Sequence, residues 1–203
     1  MSKFYLEKPS LKRKKEAIDY INEHFEFNSD IHGTGSLQKW IDNYEGWLEQ
    51  LELRDNLDTC PESLVPSSTY FLIREDEDRI VGMIDIRHDL NDYLLQYGGH
   101  IGYGIRPTER RNGYNKINLF LGLLKCRELG FDKVLITATD ENPGSYKTIL
   151  DLGGKLENKI IDDEDDNVLL GRYWIDVDKS INDNYEVYKE SIVLDDEIRN
   201  KFK

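Results

Sequence analysis

Ile101-Gly102-Tyr103-Gly104-Ile105-Arg106-Pro107-Thr108-Glu109-Arg110-Arg111-Asn112-Gly113-Tyr114-Asn115 is the stretch on which the fold turns. A strand runs from Gly99 to Arg106 and stops at Pro107. A short polar turn follows, and a helix starts at Asn112 or Gly113. The first amides of a helix have no partners within it and sit at the positive end of its dipole. A turn shaped by Gly113, with Arg110 and Arg111 beside it, is therefore a candidate pyrophosphate cradle. Gly113 has no Cβ to hold a ligand away from the backbone. Taken alone, the same residues also suit an ordinary strand-to-helix turn with solvated arginines. No Gly-Lys-Ser/Thr follows, which excludes a P-loop. The Gly-x-Gly-x-x-Gly spacing is absent, which excludes a dinucleotide fingerprint.

Downstream, the helix continues to Leu129, with Gly130 as its C-cap. Lys133 to Thr139 is a short, dense strand of the kind buried on both faces. Ser145 to Leu152 is a second short helix ended by Gly153-Gly154. Lys155 to Ile161 and Val168 to Val177 form a hairpin around the acidic turn from Asp162 to Asn167. Upstream, Ser68 to Arg74 and Arg79 to Arg87 are strands joined by Asp76-Glu77-Asp78, and His88 to Tyr97 is a linker. Pro9 to Phe27 reads as a helix from the spacing of Ala17, Ile18, Ile21 and Phe25. The loop Ile31 to Ser36 leads to another helix reaching about Leu53, capped by Ser36, with an apolar stripe through Leu37, Trp40, Tyr44, Trp47 and Leu51. From Asp178 onward the chain is polar, apart from Ile192-Val193-Leu194. The order implies an α/β (α+β) fold around one mixed sheet. We expect a single domain over residues 1–178 and a polar C-terminal extension over 179–203.

Composition bounds the function. The 203 residues suffice for one domain, and 38% hydrophobic with 11% aromatic content argues against disorder. The 27 basic and 40 acidic residues give a net charge of −13, which disfavours nucleic acid. No apolar run is long enough to span a membrane, and the charged start lacks the pattern of a secretory signal. Cys60 and Cys126 form no metal-type pair, so we expect a cytoplasmic protein with free thiols and no metal.

Arg110-Arg111-Asn112-Gly113-Tyr114-Asn115 resembles the acyl-CoA signature of the GNAT superfamily of N-acetyltransferases, Arg/Gln-x-x-Gly-x-Gly/Ala, and departs from it at Asn115. The strand Val134 to Thr139 and the turn Asn142-Pro143-Gly144-Ser145, followed by Gly153-Gly154, resemble the second half of the same groove. The resemblance covers residues 99–154, a quarter to a third of the chain. It implies a GNAT fold whose middle strands part at a bulge, here eased by Gly102 and Gly104. It implies acetyl-CoA as co-substrate, held by Tyr103, Gly104, Ile105, Arg110, Arg111, Asn112, Gly113, Tyr114, Asn115, Asn142 and Ser145. It also implies direct attack by a primary amine, from a small molecule or a peptide, on a thioester whose oxygen the strand amides hold.

The family's usual glutamate base falls at Gly99 and its usual tyrosine acid at Ile149, so neither is present. His100 and His88 are candidate bases. Tyr146, one turn before Ile149, and Tyr103 are candidate acids. His32, Trp40 and His88 are candidate acceptor-lining residues, with core packing the alternative for Trp40. The terminal hairpin, including Tyr173 and Trp174, is a candidate wall of the acceptor side or interface of a homodimer. A non-catalytic acyl-CoA-binding sensor is the competing reading.

Overall fold

The computed structural model describes residues 2–163 and 167–194. In chain order the elements are β1 (Phe4–Glu7), α1 (Lys14–Glu26), α2 (Tyr44–Arg54), β2 (Ser67–Arg74), β3 (Arg79–Arg87), β4 (Ile101–Ile105), α3 (Tyr114–Glu128), β5 (Lys133–Thr139), α4 (Pro143–Asp151), β6 (Lys155–Asp162), β7 (Val168–Asp176) and α5 (Val177–Tyr188). The strands form two antiparallel sheets, one in the order β1-β2-β3-β4 and the other β5-β7-β6. Among the described residues, the sheets meet edge to edge just before β4, through an isolated bridge between Gly99 and Ile136.

Helices cover both faces. On one face, α3 packs against β3, β4, α4 and α5. Its buried side chains include Leu119, Phe120, Leu123, Leu124 and Cys126, which join Ile84, Ile101, Ile136 and Ile175 in the larger core. On the other face, α1 and α2 bury Ala17, Tyr20, Ile21, Tyr44 and Trp47 against Phe71, Ile73, Ile80 and Met83. Truncating one of the enclosed leucine, isoleucine or phenylalanine side chains to alanine costs about 2–5 kcal/mol. Val81 has no partner in the β2–β3 register, so β3 carries a bulge there. The bulge moves the alternation by one residue. Ile80 and Met83 therefore face α1, while Val81, Ile84 and Ile86 face α3. The bulge expected from Gly102 and Gly104 is not in β4, which pairs with β3 in unbroken register.

Several elements differ from expectation. Ser36 does not cap a helix, because its φ is +67° and its side chain makes no capping bond. Two short 3-10 turns intervene, and Asn43 caps α2 by accepting from the Gly46 amide. The linker before β4 closes on a turn of π-helix, Leu94–Gly98. Residues 179–194 are not an appendage. Val177, Ser180 and Ile181 of α5 are buried, and Ile192 and Leu194 enter the larger core. Phe4 exchanges backbone hydrogen bonds with Ser191 and Val193, which extends the first sheet beyond β1. Part of the acidic turn between β6 and β7, and the last residues of the expected extension, lie outside the described residues.

Candidate active site

The parting of β4 from β5 has a specific cause. The His100 amide donates to Leu135 O (2.7 Å), as in an ordinary ladder. The return bond from the Leu135 amide goes instead to the His100 imidazole, Nδ1, at 2.9 Å. The ring takes the place of the next backbone carbonyl and ends the pairing. Gly99 makes the approach possible. Its φ is +66°, and a Cβ there would lie 2.5 Å from Leu135 O. A glutamate base at this position is therefore sterically barred, which accounts for its absence.

Beyond that closure both strands offer unpaired backbone. The bonds from Arg106 N to Val81 O and from Arg87 N to His100 O fix the phase of the β3–β4 ladder. In an antiparallel pair alternate residues bond to the partner, so Gly102 and Gly104 face Asp85 and Met83. The N–H and C=O groups of Tyr103 and the N–H of Ile105 then point into the cleft. By the same alternation the Leu135 bonds turn the backbone of Thr137 toward the cleft. Gly104 thus contributes a bare face, while its amide is spent on β3.

At the open end of the cleft stands α3. Its N-cap is Gly113, at φ +80°, and a Cβ there would meet no atom within 4 Å. Arg111 is also left-handed, at φ +66°. Among the described residues, the amides of Arg111, Asn112, Gly113, Tyr114 and Asn115 have no intramolecular acceptor. Five free donors at the positive end of a helix fit a diphosphate. The turn before them is held rigid. Glu23 of α1 accepts from Thr108 N (2.9 Å), Thr108 Oγ1 (2.8 Å) and Arg106 Nη1 (2.9 Å). Glu109, 7% exposed, pairs with Arg74 at 2.8 Å and Arg79 at 3.1 Å. Arg110 lies across the strand end, bonded to Ile105 O and Ser29 Oγ. Arg111 is exposed and has no partner among the described residues.

The second wall is α4. Asn142 caps it by accepting from the Ser145 amide at 3.1 Å. Asn115, the departure from the signature, turns away from the free amides. Its Nδ2 donates to Gly144 O (3.2 Å) and Thr148 Oγ1 (3.4 Å), tying α3 to α4. The Tyr114 side chain leaves the turn and packs on Phe4, with ring centres 4.7 Å apart. Tyr103 reaches from β4 to α4, with its hydroxyl 3.1 Å from Ser145 Oγ and 3.3 Å from Ser145 O. Burial raises its pKa, so the phenol stays protonated. Tyr146 is half-buried on the same helix, while Ile149 is fully enclosed.

The histidines separate by environment. His100 is packed between Phe131 and Trp174. Burial lowers its pKa to about 4, and Arg87 adds to the fall. With Nδ1 already accepting a hydrogen bond, its neutral tautomer carries the proton on Nε2. This geometry is that of a clamp that opens the cleft, rather than of a free base. His88 Nε2 lies 2.8 Å from Ser68 Oγ, which also bonds Asp55. Burial lowers its pKa too. His32 is exposed, and its carbonyl lies 3.1 Å from where a Cβ on Gly104 would stand. Trp40 is partly buried against the α1–α2 core. His24, 1% exposed, has a pKa near 4 from burial and from Arg110.

Two strands part beside a helix start with free amides, an arrangement that could hold an extended acyl-CoA, and comparison with known proteins gives the family. The model of the acetyltransferase (GNAT) family matches residues 34–153, more than half of the chain, and the chain belongs to that family. Among solved structures, the chain is similar to a chimera of the spermidine N-acetyltransferase SpeG from Vibrio cholerae. The two share 14% identity over 89% of this chain and 99% of that one, with a TM-score of 0.61. It is similar to the microcin self-immunity acetyltransferase MccE in complex with acetyl-CoA and AMP, at 18% identity, 85% and 91% coverage and a TM-score of 0.62. It is also similar to yncA, a putative acetyltransferase from Salmonella typhimurium with its cofactor acetyl-CoA, at 13% identity, 87% and 95% coverage and a TM-score of 0.57. At these identities the likeness is one of fold. Among curated proteins, none matches the sequence. GNAT enzymes use acetyl-CoA as co-substrate. Among the described residues no cluster of three metal-ligating side chains occurs, and no helix is long and apolar enough to cross a membrane.

Proposed function

We propose that the protein is an N-acetyltransferase that moves an acetyl group from acetyl-CoA to a primary amine by direct attack. The observation that carries this reading is the run of unpartnered amides from Arg111 to Asn115 at the mouth of a cleft lined by the free backbone of Tyr103 and Thr137. Acetyl-CoA supplies the acyl group as a thioester. The helix-start amides and Arg111 hold the diphosphate. The Tyr103 and Ile105 amides hold the thioester oxygen and the charge that develops on it. Asn142 and Ser145 fix the α4 wall, and Asn115 sets its distance from α3. The acceptor enters on the α1–α2 face of β4, where Gly102 and Gly104 leave the strand bare beneath His32 and Gly33. Tyr146 protonates the departing thiolate, while Tyr103 anchors the cleft through Ser145. His100 acts by holding the strands apart.

The reading is tested by thermal denaturation with millimolar acetyl-CoA, followed by a thiol-release assay over a panel of amines. A raised Tm with CoA release supports it. A raised Tm without release from any amine assigns the chain to acyl-CoA binding alone, as the burial of Ile149 at the acid position would suggest. An unchanged Tm overturns both.

A further inference from the structure

Several buried charges elsewhere among the described residues are paired. Arg13 bonds Glu7, Arg74 bonds Glu109, and Arg106 bonds Glu23. Such pairing is what the cost of desolvation demands. Two charges on β3 break the pattern. Asp85 is 5% exposed, and its one hydrogen bond is from Thr69 Oγ1, at 2.7 Å. Arg87 is half-buried and donates through Nη1 to the carbonyls of Gly98 (3.1 Å) and Gly99 (2.7 Å). Among the described residues neither forms an ion pair, with the other or with any third group.

Their placement is specific. Residues two apart on a strand share a face and stand ~6.6 Å apart. Asp85 pairs across the ladder with Gly102 of β4. Gly102 has no side chain, and the point where its Cβ would stand lies 3.9 Å from Arg87 Nη2 and 3.4 Å from Gly33 N. A carboxylate and a guanidinium therefore look over a bare strand, from the acceptor side, toward the cleft that begins at Tyr103. Gly33 roofs the space. Burial weakens the hold of Arg87 on its proton, Asp85 strengthens it, and the nearby Arg54 opposes Asp85.

We propose that Asp85 and Arg87 together bind a zwitterionic acceptor, an α-amino acid, with its ammonium on Asp85 and its carboxylate on Arg87. This deepens the acetyltransfer reading and rests on it. Each charge of the ligand supplies the partner that one charge of the site lacks. The order along β3 is the useful one. Asp85 stands beside Gly102, next to the Tyr103 amide, while Arg87 stands nearer the closed end at Gly99. The nitrogen is thus turned toward the thioester and the carboxylate away from it.

The test uses the full chain, acetyl-CoA and thiol release, with acceptors that differ only in charge: free α-amino acids, their C-terminal amides, simple alkylamines and spermidine. The proposal expects free amino acids to exceed their amides at least tenfold in kcat/KM. Arg87→Gln is expected to bring that ratio to about one, and Asp85→Asn to raise KM for every amine at least tenfold. Arg87→Lys should retain part of the preference. In each variant the Tm shift with acetyl-CoA reports that the fold and the groove persist. Amides or spermidine used as well as free amino acids would overturn the proposal while leaving acetyltransfer standing. So would an Arg87→Gln variant that lowers all acceptors equally, since Arg87 would then only hold the Gly98–Gly99 turn. Loss of the Tm shift in the unaltered protein would overturn the acetyltransfer reading itself.

Discussion

Replacing Gly113 with aspartate should separate the phosphate cradle from the rest of the fold. A Cβ at this position meets no atom within 4 Å, so the side chain has room. The backbone sits at φ +80°, which costs any non-glycine residue roughly 1 kcal/mol of folding stability. Gly113→Ala carries that strain without the charge and is the proper control. The aspartate adds a carboxylate beside the amides of Gly113 and Tyr114, about 6 Å from a diphosphate they would hold. Two like charges at that distance repel by roughly 3 kcal/mol with surface-type screening and by less than about 1 kcal/mol in bulk water. An intermediate value of about 2 kcal/mol weakens acetyl-CoA about thirtyfold relative to the alanine variant. Calorimetric titration at low salt should show this difference, and high salt should narrow it. Equal affinity in the aspartate and alanine variants at low salt would refute the assignment of these amides to the diphosphate.

Gly33→Ala places a Cβ 2.5 Å from Gly102 O at φ +70° and should cost about 2–4 kcal/mol in denaturant unfolding. Gly153→Ala, at φ +83° but facing open space, should cost only about 1 kcal/mol. Similar losses in the two would mean that the loop is not docked on β4. The His100 imidazole takes up a proton near pH 6.5 when unfolded but only near 4 when folded. Between those values the unfolded state binds more protons, so stability should be unaffected by this group above pH 6.5 and fall by about 2–3 kcal/mol as the pH drops toward 4. His100→Gln, which keeps an acceptor for the Leu135 amide, should flatten that slope; an unaltered slope would exonerate His100. Tyr146→Phe should lower kcat ten- to a hundredfold with the KM for the amine unchanged. An unchanged kcat would mean that the thiolate leaves without this acid.

Much of this architecture can be read from local sequence because its determinants are local. Lys133 to Thr139 is a strand with the expected bounds, and Gly130 ends α3 with Phe131 N bonded back to Cys126 O. The free amides around Gly113 follow from a proline, a polar turn and a glycine within a few residues. What escaped the sequence depends on distant partners. Phe4–Glu7 is a strand only because β2 lies beside it. The helix α5 did leave a signal, since Val177, Ile181, Tyr185 and Tyr188 recur at helical spacing in a polar segment. The sequence carries no mark on Asp85, and only the register sets it against Gly102. His100 was noticed for its ring chemistry, whereas its bond to Leu135 makes it the stop that ends a ladder. Glu23 and Glu109, which brace the turn before α3, carry no motif of their own.

The pairing of Phe4 with Ile192 bears on how the chain comes to be assembled during synthesis. These two positions are 188 residues apart in sequence. While translation proceeds, β1 can pair with β2, but its outer side waits until residues 191–193 have left the ribosome. Until then the nascent protein presents an open, partly apolar strand edge, the kind of surface on which chaperones act and chains stick together. Residues 191–193 thus shield an edge formed long before them.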